Sequence, residues 1–324
     1  MRAAWYEKQG PAREVLNIGT MPDPTPGPGD VRIRIAASGV NPGDVKKRQN
    51  VFGYGMPFPR VIPHSDGAGI VDVVGEGVSA NWVGRRVWCY GAQSYRPFGT
   101  AAEYVVVPRA LAVPLPDGVS FEQGACLGIP GITAHRAVHV AGSVDGRTLL
   151  VQGAAGAVGV CAVQLARRAG ATVIASVRSS GDEAIASRAG AHHVVRVGDD
   201  LVAGVRGLAP DGVDHVVEVA FAANVARDLE VLAIGGSIAT YATDVDTPAI
   251  PFWPLLFKNI RLCFLGSDDF PAEAKLAAAT ALNDALASGW ENFESAERFP
   301  LEEIDVAHER VESPGRHGRV VMVL

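Results

Sequence analysis

Thr148-Leu149-Leu150-Val151-Gln152-Gly153-Ala154-Ala155-Gly156-Ala157-Val158-Gly159 runs from an apolar strand through spaced glycines into a helix. Read strictly as G-x-G-x-x-G, the pattern has Ala154 at its first glycine, then Gly156 and Gly159. A strand, a glycine turn and a helix in that order suit a dinucleotide. Gly156 would bring the backbone against a pyrophosphate whose charge rests at the positive helix N-terminus, and Gly159 would let that helix pack on the strand. The run Ala154-Ala155-Gly156-Ala157-Val158-Gly159 is therefore the expected pyrophosphate contact. A side chain at Gly156 is expected to fill the ligand's volume and to resist a positive φ.

Outward from this turn, strands and helices alternate. Strand-like runs at 171–177, 192–197, 213–220, 237–242 and 260–265 are separated by helical stretches at 158–168, 182–189 and 224–232, and an alanine-rich helix follows at 272–288. That alternation predicts βαβ units and a parallel sheet. The second strand ends in Val177-Arg178-Ser179-Ser180. Arg178 stands where an NAD site carries an acid for the ribose 2′-hydroxyl, about 20 residues past the glycines. No Asp or Glu occurs between Ala171 and Gly181. Arg178, with the hydroxyl of Ser179 nearby, would meet a 2′-phosphate, which favours NADPH over NADH.

The first third reads differently. Val31-Arg32-Ile33-Arg34-Ile35 alternates with period two, and apolar runs at 69–74, 86–90 and 102–107 are bounded by Gly, Pro or Asp. This predicts a β-rich, barrel-like domain. Ser120 and Gln123 form a capping-box pattern that marks the change to helix. The closing Gly318-Arg319-Val320-Val321-Met322-Val323-Leu324 reads as a strand that suits the first domain better than the second.

A length of 324 residues suits two domains, and 48% hydrophobic with 20% charged residues suits a folded, water-exposed chain. The net charge of −6 and the lack of any long Lys or Arg run speak against nucleic acid or an anionic membrane as partner. Cys89, Cys126, Cys161 and Cys263 lie far apart without a C-x-x-C pair, so neither a disulfide framework nor a four-cysteine zinc site is expected. With no stretch of 18 apolar residues and no leader-like N-terminus, the expected compartment is the cytoplasm.

The chain resembles the medium-chain dehydrogenase/reductase superfamily, and within it the zinc-free, zeta-crystallin-like quinone oxidoreductases. The likeness rests on Ser38-Gly39-Val40-Asn41-Pro42-Gly43-Asp44, Pro63-His64-Ser65-Asp66-Gly67-Ala68-Gly69, Gly128-Ile129-Pro130-Gly131-Ile132-Thr133-Ala134, the glycine turn, Val217-Glu218-Val219-Ala220 and Gly318-Arg319-Val320-Val321. It implies a Rossmann-type doubly wound domain over 122–290 and a GroES-like catalytic domain over 1–121 with 291–324. Zinc-dependent relatives carry a cysteine where this chain has Asn41, Gly-His-Glu where it has His64-Ser65-Asp66, and a third ligand around Ile129 or Pro130. No metal is therefore expected, and His64 reads as a hydrogen-bonded structural histidine.

Without a Lewis acid, the chemistry left is hydride delivery to an acceptor that already attracts electrons. The resemblance thus implies NADPH-dependent quinone reduction; alternatives are an alkenal or enone reductase and a non-catalytic NADPH-binding protein. Asn41 would bond a cofactor or substrate oxygen, or else serve as a turn residue before Pro42; Asp44 would hold the surrounding loop. Tyr54 and Tyr90 suit either stacking on a flat substrate or packing. Thr133 would stand near the nicotinamide, and Val219, Ala220, Tyr241, Phe264 and Arg319 near the cofactor. The apolar strand Arg261-Leu262-Cys263-Phe264-Leu265 would pair across a two-fold homodimer.

Overall fold

Six parallel strands form one sheet in the order His193–Arg196, Thr172–Val177, Thr148–Val151, Val213–Glu218, Leu232–Thr240, Arg261–Phe264. The chain passes outward from the central Thr148–Val151 strand twice before it crosses to the other half. The order reverses between Thr148–Val151 and Val213–Glu218, and ligands of doubly wound sheets bind outside the carboxyl ends of strands at such a reversal. Leu150, Ile174, Val216 and Ile238 lie in one register row across the sheet, each fully buried. Burial on both faces explains the apolar runs of Thr148–Val151 and Thr172–Val177, whereas the edge strands His193–Arg196 and Arg261–Phe264 open on exposed polar residues. Each such side chain contributes roughly 1.5–3 kcal/mol by leaving water.

The structure is a computed structural model that describes residues 1–198, 200–290, 296–313 and 318–324. It divides into two compact units, Pro130–Ala278, which holds the parallel sheet, and Met1–Ile129 together with Ala279–Leu324. The divisions expected at 121/122 and 290/291 are displaced for local reasons. The helix Phe121–Ala125 carries buried Gly124 and Ala125, and a Cβ on Gly124 would touch Ala68 and Leu115, which places it with the first unit. In the helix Ala272–Ala287, Asn283 Oδ1 accepts from Trp88 Nε1 at 3.1 Å, and Asn283 Nδ2 donates to the Pro114 carbonyl at 2.8 Å. Its last turns thus belong with the first unit too. The expected 290/291 boundary abuts residues 291–295, which lie outside those described.

The first unit is built on the long strand Asp30–Val40. Along one edge, Asp30–Arg34 pairs with Tyr104–Pro108, and Ala37–Val40 pairs with the closing strand Arg319–Val323. Along the other edge it pairs with Asp66–Val74, which continues to Arg86–Cys89 and Ala112–Pro114. Fully buried Val31, Ile33, Val71, Val87 and Val107 form the core beneath this antiparallel sheet. Ser120 Oγ accepts from Gln123 N at 3.1 Å and Ser120 N donates to Gln123 Oε1 at 2.9 Å, the reciprocal cap read from the sequence. Among the described residues, no helix is long and apolar enough to cross a membrane.

Candidate functional site

In the parallel-sheet unit the carboxyl end of Thr148–Val151 turns at Gly153 and enters the helix Ala157–Arg168. Gly153 has φ +63°, and a Cβ there would lie 2.8 Å from Val219 Cγ1. Gly156 caps the helix at φ −75° and ψ 165°, extended backbone open to any residue. The expected positive φ at Gly156 is therefore corrected: the left-handed residue of this turn is Gly153. A Cβ at Gly159 would sit 2.3 Å from the Gly153 carbonyl oxygen, so only glycine permits this approach of helix to turn. No side chain caps the helix, and the first N–H groups of a helix have no partner within it. Ala157 and Val158 thus present amides at its positive end, with Ala154 buried behind and Ala155 half-buried. These residues fit a pyrophosphate: the glycines give close backbone approach, and the uncapped N-terminus favours negative charge.

Arg178 follows the strand Thr172–Val177 and is exposed. Ser179 is less available than its hydroxyl suggested. Its Oγ accepts from Asp182 N at 3.2 Å, and the Asp182 carboxylate accepts from Ser179 N at 3.1 Å, so Ser179 caps the helix Ser180–Arg188. The acid-free interval read from the sequence ends at this cap. At the switch point's other strand, Val219 and Ala220 lie half-buried after Glu218. Tyr241 N donates to the Glu218 carbonyl at 3.2 Å, and burial, then Glu218 and Cys161, push its phenol pKa up. Phe264, on the sheet edge, is 66% exposed and meets Phe221 edge-on at 5.6 Å. Thr133 is buried within the helix Gly128–His139.

The other unit carries a buried polar cluster. Asn41 precedes the helix Pro42–Arg48, and its backbone N–H donates to Asp44 Oδ2 at 2.8 Å. Asp44, itself buried, thereby holds the Asn41 turn. The Asn41 amide is occupied on both atoms: Nδ2 donates to Asp66 Oδ2 at 2.7 Å, and Oδ1 accepts from Arg319 Nη2 at 3.0 Å. One Nδ2 hydrogen remains beyond the Asp66 bond. Arg319 Nη2 stands 3.9 Å from Asp66 Oδ2, with both side chains within 1% of full burial. Ile129 N donates to both Asp66 oxygens at 2.9 Å, and a Cβ on Gly128 would lie 2.1 Å from Asp66 Oδ1. The carboxylate thus sits against the start of a helix, where only glycine leaves it room. Burial pushes the Asp66 carboxyl up to about 7, against the pull of Arg319 and Asn41.

Sequence reading singled out Asn41 and Arg319 but assigned them to substrate and cofactor; it did not see Asp66 as their shared partner. Charge type was the available signal, since an Asp opens one apolar strand and an Arg opens another. Tyr54 is 88% exposed and stacks on Phe52 at 6.1 Å. Tyr90 is buried, 5.8 Å from the Trp88 ring, and packs in the core, so the stacking role is set aside for it. His64 is fully buried and hydrogen-bonded to Ser38 and His308. Cys126 and Cys161 are buried as expected, and Cys263 is half-buried on the edge strand. Among the described residues, no group of three or more His, Cys, Asp or Glu is arranged to hold a metal ion.

Two family descriptions match the chain: an alcohol dehydrogenase GroES-like domain over residues 27–117 and a zinc-binding dehydrogenase over 157–279. The quinone oxidoreductase of Rattus norvegicus is 31% identical across 98% of this chain and 96% of its own length. A mycobacterial protein solved in complex with NADPH superposes with a TM-score of 0.88 at 28% identity, covering 100% of both chains. An NAD-dependent alcohol dehydrogenase superposes with a TM-score of 0.87, also at 28% identity and 100% coverage of both. The chain belongs to the medium-chain dehydrogenase/reductase superfamily, in its zeta-crystallin-like quinone oxidoreductase family.

Proposed function

We propose that this protein is an NADPH-dependent quinone oxidoreductase working without a metal. The carrying observation is the uncapped helix N-terminus behind the Gly153 turn at the sheet's switch point. Reduced nicotinamide dinucleotide, when bound, supplies a hydride. The amides at Ala157 and Val158 would hold its pyrophosphate, while the Gly156 N–H donates to the Gly153 carbonyl at 2.9 Å. Gly159 sets the helix close enough for this hold, and Arg178 would pair a 2′-phosphate. The absence of an acid between Ala171 and Gly181 supports NADPH over NADH.

In the other unit, Asp66 and Arg319 fix the Asn41 amide so that its second Nδ2 hydrogen has one orientation. An amide fixed in this way suits a developing oxygen charge better than a mobile one, because no reorganisation is needed. Arg319 then acts through Asn41 as a positioning residue. Exposed Tyr54 and Phe52 are the aromatic surface proposed to stack on a flat acceptor. Asn41, Ser65 and Ile129 or Pro130 stand where zinc-dependent relatives keep their ligands, and the Asn41 amide is already committed to Asp66 and Arg319.

Among the described residues, Arg261–Phe264 pairs with a strand on one side only and ends the sheet. Trp253 and Phe257, 63% and 72% exposed, belong to the same unit. An open edge with apolar neighbours supports a homodimer formed by strand pairing. Light scattering would read a monomer's mass if this were wrong.

The test is a panel of quinones and conjugated enones, followed by loss of NADPH absorbance. Quinone turnover with little enone turnover is expected. Faster enone turnover would move the assignment to an enone reductase, and no turnover with intact NADPH binding would leave a binding protein.

A further inference from the structure

Beneath the two turns of the switch point lies a chain of buried side chains that crosses three strands and one helix. Ser176 donates from Thr172–Val177 to Gln152 Oε1, and Gln152 Nε2 donates to Asp228 Oδ1 at 2.8 Å. Asp228 belongs to the helix Phe221–Val231 and is fully buried. Its carboxyl faces that of Glu218, at the end of Val213–Glu218, which is also fully buried. Glu218 in turn accepts from Ala220 N and from Asn224 Nδ2, the latter at 3.1 and 3.2 Å to its two oxygens. Gln152 precedes Gly153, and Glu218 precedes Val219, so the chain of contacts ties together the two turns that Gly153 and Val219 bring into van der Waals range.

Proton bookkeeping singles out one member. No donor reaches Asp228 Oδ2, although the residue is fully buried. An ionised Asp228 would leave that oxygen without a partner and set two buried anions side by side, each costly. Glu218 already receives N–H donors from Ala220 and Asn224, and so it is the acceptor of the pair. A proton on Asp228 resolves both problems, because the carboxylic acid accepts from Gln152 and donates to Glu218. The facing groups are otherwise neutral or uncharged: Gln152 and Ser176 from two strands, Asn224 from the same helix, and the phenol of Tyr241, which Glu218 helps to keep protonated.

We infer that Asp228 is held as a neutral carboxylic acid donating to Glu218, and that this shared proton sets the Gly153 and Val219 turns for dinucleotide binding. Asp228 and Glu218 are positioning residues, since neither is exposed to a ligand. Ionisation of Asp228 at alkaline pH would place two carboxylates in contact and loosen both turns. The positioning role rests on the dinucleotide reading above; the shared proton does not.

Asp228→Asn tests it, because an amide replaces the carboxylic acid atom for atom, with a carbonyl toward Gln152 and an N–H toward Glu218. NADPH dissociation constants are measured on the full chain between pH 7 and pH 10 by fluorescence. Wild type should bind progressively more weakly on the alkaline side, whereas Asp228→Asn should match wild type at pH 7 within about threefold and stay level. A tenfold loss for Asp228→Asn at pH 7, its failure to fold, or the same alkaline decline in both proteins would overturn the inference. Infrared spectra of the dinucleotide-free wild type provide a measure that needs no variant to fold. A protonated-carboxyl stretch that shifts on aspartate-specific carbon-13 labelling should persist at pH 8.5, and its absence would overturn the shared proton. If wild type binds no dinucleotide at all, the dinucleotide reading falls and the positioning role with it, while the infrared band still judges the proton.

Discussion

His308 Nε2 lies 3.0 Å from His64 Nε2, and one arrangement of protons satisfies that contact together with its neighbours. Arg48 Nε can only donate, and it donates to His308 Nδ1 at 3.3 Å. His308 therefore carries its proton on Nε2 and donates to His64 Nε2. His64 then carries its proton on Nδ1 and donates to Ser38 Oγ at 2.8 Å. Ser38 donates onward to Thr100 Oγ1 at 2.7 Å, and Thr100 donates to the Asp66 carbonyl at 2.6 Å. Five hydrogen bonds thus run in one direction from Arg48 to the backbone of the residue that holds Asn41, and both imidazoles are neutral.

This order makes the protein sensitive to acid. Burial lowers the His64 pKa from 6.5 to about 3, and burial, then His64 and Arg48, hold His308 well below its ordinary value. Below pH 6.5 the unfolded chain binds protons that the folded chain refuses, so stability falls as pH drops. Two such histidines together cost about 3 kcal/mol between pH 6.5 and pH 5. Asp66, raised to about 7, works in the opposite sense, since its folded form takes up a proton first as pH falls. The comparison that isolates the pair is wild type against His64→Asn with His308→Asn, by urea melts at both pH values. Equal slopes in the two proteins would show that the histidines are not held neutral.

Arg319 is the cation beside a buried carboxylate, and its removal should be felt through Asp66. Arg319→Met leaves Asp66 buried without its counter-charge, and breaking such a pair costs about 3–5 kcal/mol. Asp66→Asn in the same chain should recover much of that loss, because no charge is then left unpaired. A double variant as unstable as Arg319→Met alone would mean that the arginine acts mainly by packing.

Cofactor choice should rest on Arg178. Arg178→Ala removes a charge-assisted contact of about 1.5–3 kcal/mol, or about 10- to 150-fold in NADPH affinity. NADH affinity should be unchanged. Equal weakening of both would make Arg178 structural, and the cap that Asp182 forms on Ser179 gives that outcome a route.

Purified protein should hold far less than one zinc per chain by elemental analysis, and a chelator should leave quinone turnover unchanged. Asn41 spends its amide on Asp66 and Arg319 rather than on a metal. Stoichiometric zinc lost together with activity would reverse this.

What the sequence made legible follows chain distance. The strand, the glycine turn, the helix and the Ser120–Gln123 cap are local, and each depends on residues within a few positions. The closing strand reads as a strand suited to the first unit, where it pairs with Ala37–Val40. The polar clusters were not legible. Asn41 and Arg319 stand 278 residues apart and His64 and His308 stand 244 apart, and nothing in the intervening chain encodes which buried donor meets which acceptor. Asp66 and Asp228 look in sequence like any carboxylate. Only the loss of water around them makes each require a proton or a cation. Gly156 shows the same limit at short range: spacing identified the turn, whereas the backbone angle that requires glycine belongs to Gly153.

That distinction separates two substitutions that the glycine pattern alone would treat alike. Gly153→Ala places a Cβ 2.8 Å from Val219 Cγ1 at φ +63°, so it should destabilise the fold by about 1–3 kcal/mol, whatever is bound. Gly156→Ala has φ −75° and meets nothing closer than the Gly153 carbonyl oxygen at 3.3 Å, so the dinucleotide-free fold should be nearly unaffected. Its cost falls on binding, because the new methyl stands at the helix end where the pyrophosphate would lie. Thermal melts with and without NADPH distinguish the two. Wild type should gain about 2.7 kcal/mol at one hundred times its dissociation constant. Gly153→Ala should start lower without cofactor, and Gly156→Ala should start level with wild type and gain less at the same NADPH concentration. A full cofactor-induced gain in Gly156→Ala would mean that this glycine does not face the pyrophosphate, and the anion would have to be held by other amides of the turn.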